Sequence, residues 1–224
     1  MEKSQKNVGN QDGKRYGIFG ASGCGKTTKA RNIISKSNRL IVFDSILAEW
    51  RDNHTKWLPR SVVVYSMPEL YQVLKKKWST GFRIVFVPTF GKESQQLDAL
   101  AKYILQIQSG FGITHHANIT FFIDEAQECI PAGTGLRNPS HGAIMLARMG
   151  RKKGVNMIVA SQRIKTVDIN VRANLNGIYI FRLEELADIN EANQIIQDKN
   201  GLLSMKDYEF YYKSGGQIKF FKKS

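Results

Sequence analysis

Short apolar runs, each bounded by polar or glycine-containing segments, recur along the chain at residues 16–20, 40–43, 61–65, 82–87, 119–123, 155–160 and 178–183. Within a run the apolar character does not alternate, which is the pattern of a parallel strand covered by helices on both sides. Between the runs, apolar positions recur at helical spacing. Residues 26–37, 68–78 and 185–197 read this way, as do residues 94–108 with Leu97, Leu100, Ala101, Ile104 and Leu105 on one face. The alternation of strand and helix predicts an α/β fold, doubly wound around a mostly parallel sheet. Two stretches break the rhythm. Residues 131–141, rich in Gly, Pro, Asn and Ser, read as a mobile loop, and residues 208–223 hold two strand-like runs around Ser214-Gly215-Gly216, the pattern of a C-terminal β-hairpin. No internal repeat or linker is visible, so the expected organisation is a polar tail over residues 1–14 and a single domain over 15–224.

At 224 residues, 42% of them hydrophobic, the chain is long enough for a continuous core without disulfide or metal staples. No stretch approaches the ~18 consecutive apolar residues of a membrane span. The first residues have no apolar leader segment, and Cys24 and Cys129 are far apart and in no paired motif. A reducing, cytoplasmic location is expected. The pair His115-His116 has no second ligand pair at a metal-binding spacing and reads as an exposed loop pair. Charge adds a partner class. There are 33 Lys and Arg against 19 Asp and Glu, a net +14, and residues 181–224 hold seven of each sign, so the whole excess lies in residues 1–180. A basic surface of this kind suits a polyanion through counterion release, although solubility alone also accounts for it and Lys75 to Lys77 read as a solvated helix face.

Candidate chemistry concentrates first at Gly20-Ala21-Ser22-Gly23-Cys24-Gly25-Lys26-Thr27, with Thr28 following, between a strand and a helix. This is a phosphate-loop pattern. Glycines let backbone N–H groups converge on phosphate oxygens at the positive end of the helix, Lys26 reaches the β and γ phosphates, and Thr27 offers a hydroxyl to Mg²⁺. A simple glycine-rich turn accounts for the glycines but not for Lys26-Thr27. Gly20, Ser22, Gly23, Cys24, Gly25, Lys26, Thr27 and Thr28 are therefore the candidate ATP-binding positions, the Cys24 side chain standing at a variable place in the loop.

The run 119–123 ends in Asp124-Glu125, a Walker B arrangement. Asp124 is placed to hold Mg²⁺ with Thr27, and Glu125 to orient or deprotonate the attacking water, which favours hydrolysis over binding alone. Alone, an acidic strand end is weak, because turn residues are often acidic; with the phosphate loop it gains specificity. Downstream, the basic turn Arg148 to Lys153 precedes an apolar run ending in Ser161-Gln162. In a doubly wound sheet neighbouring strand tips share one crevice, so Gln162 is expected beside Asp124 as a reporter of the γ-phosphate, with an ordinary turn residue as the plainer alternative.

Taken in order, the phosphate loop, Ile123-Asp124-Glu125-Ala126, Gly150-Arg151-Lys152-Lys153-Gly154-Val155, Ala160-Ser161-Gln162-Arg163 and Val171-Arg172-Ala173-Asn174, with Asp44 after the second strand, resemble the FtsK/HerA superfamily of ring-forming DNA-pumping ATPases over residues 15–183. The resemblance implies a RecA/FtsK-like P-loop NTPase fold and ATP hydrolysis with Mg²⁺ at subunit boundaries of a hexameric homo-oligomer. It also implies sequence-independent contacts to a DNA backbone. An arginine supplied by the neighbouring subunit matches Arg151 or Arg148, with DNA-phosphate contact as the other reading of both. Larger relatives carry membrane segments, a DNA-reading appendix or an N-terminal barrel that this chain lacks, and Ile164 stands where many relatives have proline. What remains has the size of the packaging ATPases of tailless icosahedral viruses. That points to packaging of a viral genome into a preformed capsid, with vertex proteins as further partners and a place in the host cytoplasm or at a virion vertex. A small P-loop kinase and a nucleotide-gated phage assembly or secretion factor stay open as alternatives.

Overall fold

Each of the seven apolar runs forms a strand in the computed structural model, which describes residues 13–108, 118–133 and 141–222. The strands are β1 (Arg15–Phe19), β2 (Arg39–Asp44), β3 (Val62–Val64), β4 (Phe82–Phe86), β5 (Ile119–Asp124), β6 (Val155–Ser161) and β7 (Gly177–Phe181). The expected hairpin is present as β8 (Phe210–Ser214) and β9 (Gln217–Phe221), turning at Gly215-Gly216. All belong to one 9-stranded sheet in the order β3-β4-β2-β5-β6-β1-β7-β8-β9. Pairing is parallel from β3 to β7, and β8 joins β7 antiparallel.

The unbroken apolar runs are explained by two cores. Along each strand, side chains alternate between the sheet's faces. Ile18, Leu40, Val42, Phe122, Ile158 and Ala160 pack with Ala30 and Ile34 of α1 (Lys26–Ile34) and Trp50 of α2 (Glu49–Trp57). Their neighbours Phe19, Ile41, Phe43, Phe121, Ile123, Met157 and Val159 face the other way. They are covered by α3 (Met67–Lys77), α4 (Glu93–Ile107), α5 (His141–Met149) and α7 (Leu186–Ile196), with the short α6 (Ile169–Arg172) and α8 (Lys199–Ser204) at the margins. Truncating a buried phenylalanine of either layer, Phe121 or Phe122, costs about 3–5 kcal/mol.

Helix limits follow local chemistry. The α3 start is a capping box, in which Ser66 accepts from Glu69 N–H and Glu69 accepts from Tyr65 N–H at 2.9 Å. The first helix ends at Ile34 rather than at residue 37, and Ser37, whose Oγ donates to Thr120 Oγ1 at 2.9 Å, leads into β2 instead. Two of the helices, α2 and α5, are not foreshadowed by the periodicity. Gly13 and Lys14 at the end of the polar tail are tied to the sheet: Gly13 N–H donates to Arg151 O at 3.2 Å, and Lys14 N–H to Asn156 Oδ1 at 2.8 Å. The rest of the tail, the pair His115-His116, the loop residues 134–140 with Arg137, and Lys223 lie outside the described residues.

Candidate functional site

Strand order places the site. β6 lies between β1, which leads into the phosphate loop, and β5, which ends in Asp124; β2 flanks β5 on the other side, with Asp44 in register with Asp124. Four strand tips therefore meet at one edge of the sheet, the edge where open α/β folds bind ligands. The loop is fixed at its start by Gly20 N–H donating to Ser161 O at 3.2 Å and Ala21 N–H to Arg182 O at 2.8 Å. It ends at Gly25, whose φ of 109° lies in the left-handed region and precedes the first turn of α1. Lys26 is buried, and its Nζ donates to Ala21 O at 2.9 Å, which sets the ammonium within the curl of the loop.

A segment that the sequence motifs do not include lies over this loop. Tyr208 N–H donates to Cys24 O at 2.9 Å, and a Cβ on Gly25 would come within 2.9 Å of the Tyr208 ring. Tyr208 itself has φ 68°, a strained value for a tyrosine. The segment is anchored by Arg182, which pairs with Asp207 at 2.7 Å and Glu184 at 2.8 Å. Cys24 is fully buried, and burial pushes its thiol upward, so it is packing rather than a nucleophile.

Asp124 is buried at the tip of β5. Its Oδ2 accepts from Trp50 Nε1 at 2.6 Å and its Oδ1 from Glu125 N–H at 3.1 Å, while Ser45 Oγ donates to its carbonyl. Burial pushes the Asp124 carboxyl up to about 7; the Trp50 bond opposes the rise and the charge of Glu125 adds to it. Glu125 has φ 42°, again left-handed, which turns its side chain out of the strand direction. Both its oxygens are held: Gln162 Nε2 donates to Oε1 at 3.1 Å and Gln127 Nε2 to Oε2 at 2.8 Å. Gln127 is positioned in turn by Ser161 Oγ, 2.6 Å from its Oε1. Gln162 thus reaches the carboxylate after Asp124, one residue from where the strand-tip argument placed it.

Glu49, at the start of α2, accepts a hydrogen bond from the Thr27 hydroxyl and lies in the electrostatic reach of Glu125, Asp44 and Lys26. Thr27, Lys26, Glu49, Glu125 and, through Trp50, Asp124 therefore converge on one crevice. Sequence reasoning named Thr27, Lys26, Glu125 and Asp124 and missed Glu49, Trp50 and Gln127. Gln127 stands two residues after Glu125 and carries no motif signal, and the other two sit on a helix whose apolar pattern is faint.

The oxygen donors Thr27 and Asp124 fit a hard cation, and a buried carboxyl whose ionised form is penalised by burial is the group a cation would relieve. Among the described residues, no three His, Cys, Asp or Glu side chains are grouped to hold a metal by themselves. That agrees with Mg²⁺, which keeps waters and substrate phosphates as ligands. Arg151 and Arg148 lie elsewhere. Arg151 precedes β6, its carbonyl accepting from Gly13 N–H at the end of the sheet where β1 begins, whereas the phosphate loop leaves the opposite end of β1. Arg148 Nη2 donates to Asn170 Oδ1 at 2.9 Å. The reserve arginines are ion-paired, Arg163 with Asp188 at 3.0 Å and Arg172 with Glu191.

No protein-family model matches the chain, and no curated protein does. Solved structures do. The genome-packaging NTPase B204 of Sulfolobus turreted icosahedral virus 2, in complex with ATPγS, superposes with a TM-score of 0.69 at 15% identity, covering 96% of this chain and 98% of that one. B204 described as the DNA-packaging ATPase of Sulfolobus turreted icosahedral virus gives 0.69 at 16% identity, over 95% and 97% of the two chains. VirB4 of Thermoanaerobacter pseudethanolicus gives 0.59 at 12% identity, over 97% and 91%. The chain is similar in fold to these P-loop ATPases from end to end. Among the described residues, no helix is long and apolar enough to cross a membrane.

Proposed function

We propose that this chain is an ATP-hydrolysing motor that translocates DNA, of the kind that packages a viral genome into a preformed capsid. The observation that carries the reading is the grip of Gln162 and Gln127 on both oxygens of Glu125, at a strand tip beside Lys26 and Thr27. A carboxylate fixed in this way suits a base that must aim a water molecule along the line of phosphoryl transfer. Lys26 and the loop N–H groups neutralise and orient the β and γ phosphates. Thr27 and Asp124 would hold Mg²⁺, which when bound neutralises charge developing on the phosphate oxygens. Glu125 receives the proton of the attacking water, and Gln162, which follows β6, links the state of that carboxylate to the strand between the two motifs.

Support for the DNA part is of a different kind. The net charge of +14 suits a phosphate backbone, and the two viral structures of similar fold are a genome-packaging NTPase and a DNA-packaging ATPase. A ring of subunits, with Arg151 or Arg148 acting on the neighbour's nucleotide, completes the reading. Lys26→Ala is expected to lose nucleotide affinity, while Glu125→Gln binds ATP and turns over ~10²–10⁴-fold more slowly. Duplex DNA should stimulate wild-type turnover at low salt, and the stimulation should fade as salt rises. An ATPase indifferent to DNA at low salt removes the translocase reading. Turnover that needs a small phosphate acceptor in place of water moves the chain to the phosphotransferases.

A further inference from the structure

The two side chains that open α2 both reach the phosphate-binding edge. Trp50 Nε1 donates to Asp124 Oδ2 at 2.6 Å, and Asp124 Oδ1 already accepts from Glu125 N–H at 3.1 Å, so each oxygen of that carboxylate has a protein donor. The Thr27 hydroxyl donates instead to Glu49. A hydroxyl that is to present its lone pairs to a cation has to send its proton to an acceptor on the other side, and here Glu49 receives it.

We propose that Glu49 is a positioning residue for magnesium-nucleotide binding, accepting the Thr27 proton so that the Thr27 lone pairs face the cation, while its neighbour Trp50 holds Asp124. This role rests on the nucleotide reading above. The turn that carries both residues is fixed from the sheet. Ala48 gives α2 no side-chain cap, and Asp44 Oδ2 takes that part, accepting from Trp50 N–H at 3.1 Å and Arg51 N–H at 2.8 Å. Trp50 is fully buried, its ring edge-on to Phe122 and Trp57 with centroids 5.1 and 5.2 Å away. Burial and the charge of Glu125 push the Glu49 carboxyl upward while the Thr27 bond pulls it down, which marks the ionised form as the acceptor.

The test is a double-mutant cycle on equilibrium binding of a fluorescent ATP analogue, measured with Mg²⁺ and in EDTA. Glu49→Ala should weaken the magnesium-dependent part of the affinity by about 10- to 100-fold, the range seen for ligand-orienting partners, without weakening binding in EDTA. Glu49→Gln, which keeps an acceptor oxygen, should lose much less. In a Thr27→Ala background, Glu49→Ala should add nothing. Glu49→Leu, similar in volume and without an acceptor, repeats the measurement if the alanine variant unfolds in a thermal melt. The role is overturned if Glu49→Ala leaves magnesium dependence unchanged, weakens binding equally in EDTA, or acts as strongly without the Thr27 hydroxyl. A wild-type chain with no magnesium-dependent binding overturns the nucleotide reading itself, an outcome visible before any Glu49 variant is made.

Discussion

Asp44 is a fully buried carboxylate with one oxygen employed and one without a partner: Oδ2 caps α2, whereas Oδ1 has no hydrogen-bond partner. Burial is the largest influence and raises its pKa above the ordinary carboxylate range, against the pull of the two backbone N–H groups. The folded chain then keeps this proton at a pH where the unfolded chain has released it. Stability contributed by the group is fullest below the unfolded value, near pH 4, and is lost as pH rises through the folded one. Asp44→Asn keeps an acceptor for the α2 N–H groups and has no proton to release. The melting temperature of Asp44→Asn minus that of wild type should therefore grow between about pH 4 and neutrality, and a difference that stays flat or shrinks contradicts the assignment. Local strain follows the same geography. Glu125 and Tyr208 hold left-handed φ values of 42° and 68°, and both lie at the crevice, where surrounding bonds impose conformations that free residues avoid.

At the scale of elements, the C-terminal hairpin is a direct test of local turn chemistry. Gly215 and Gly216 have φ 56° and 80°, the two successive positive values that match the twist of a tight two-residue turn. β9 pairs only with β8 and its side chains are exposed, so the damage from Gly215→Val should stay local. Hydrogen-exchange protection across residues 217–221 should fall by about tenfold or more, for a left-handed penalty of about 1–2 kcal/mol, while the melting temperature moves little. Unchanged protection would mean that the turn does not impose its φ values. This hairpin and the seven parallel strands are legible in the sequence because their signals are local: glycines at the turn, apolar runs where both faces are buried. The phosphate loop is legible for the same reason. α2 is not. Its nine residues, EWRDNHTKW, bury only Trp50, and its cap is supplied by Asp44 from β2 rather than by a neighbour in sequence. α5 buries Ala143, Ile144, Leu146 and Ala147 but begins where a Gly- and Pro-rich stretch reads as loop. With α2 unseen, Glu49 and Trp50 were hidden too, and their support of the crevice was invisible to periodicity. The Gln162 contact was partly foreseeable, because the doubly wound rule brings strand tips together, but which carboxylate it touches depends on the turn at Glu125.

At the scale of the molecule, the sheet separates two chemistries. The phosphate loop, Asp124 and Glu125 occupy the edge where the central strands end, and Arg151 stands where β6 begins. β1 alone places about 17 Å of extended chain between the two edges, at the usual rise per strand residue, too far for Arg151 to touch a phosphate bound at its own loop. If this arginine acts in hydrolysis it acts on a neighbour, and the consequence is measurable. Arg151→Ala should lower turnover by ~10³–10⁵, the range for an arginine supplied in trans, with nucleotide affinity preserved. Lys26→Ala should be inactive because its own loop is damaged, yet its Arg151 is intact. In a mixed assembly of equal parts, an intact loop meets an intact arginine at about one interface in four if subunits mix randomly around a ring, so the mixture should turn over far faster than either variant alone. Turnover equal to the mean of the two separate variants would exclude action in trans and leave Arg151 as a ligand for the DNA backbone. In that case Arg151→Ala should instead reduce the salt dependence of DNA binding, by about one unit of slope for each phosphate it no longer neutralises.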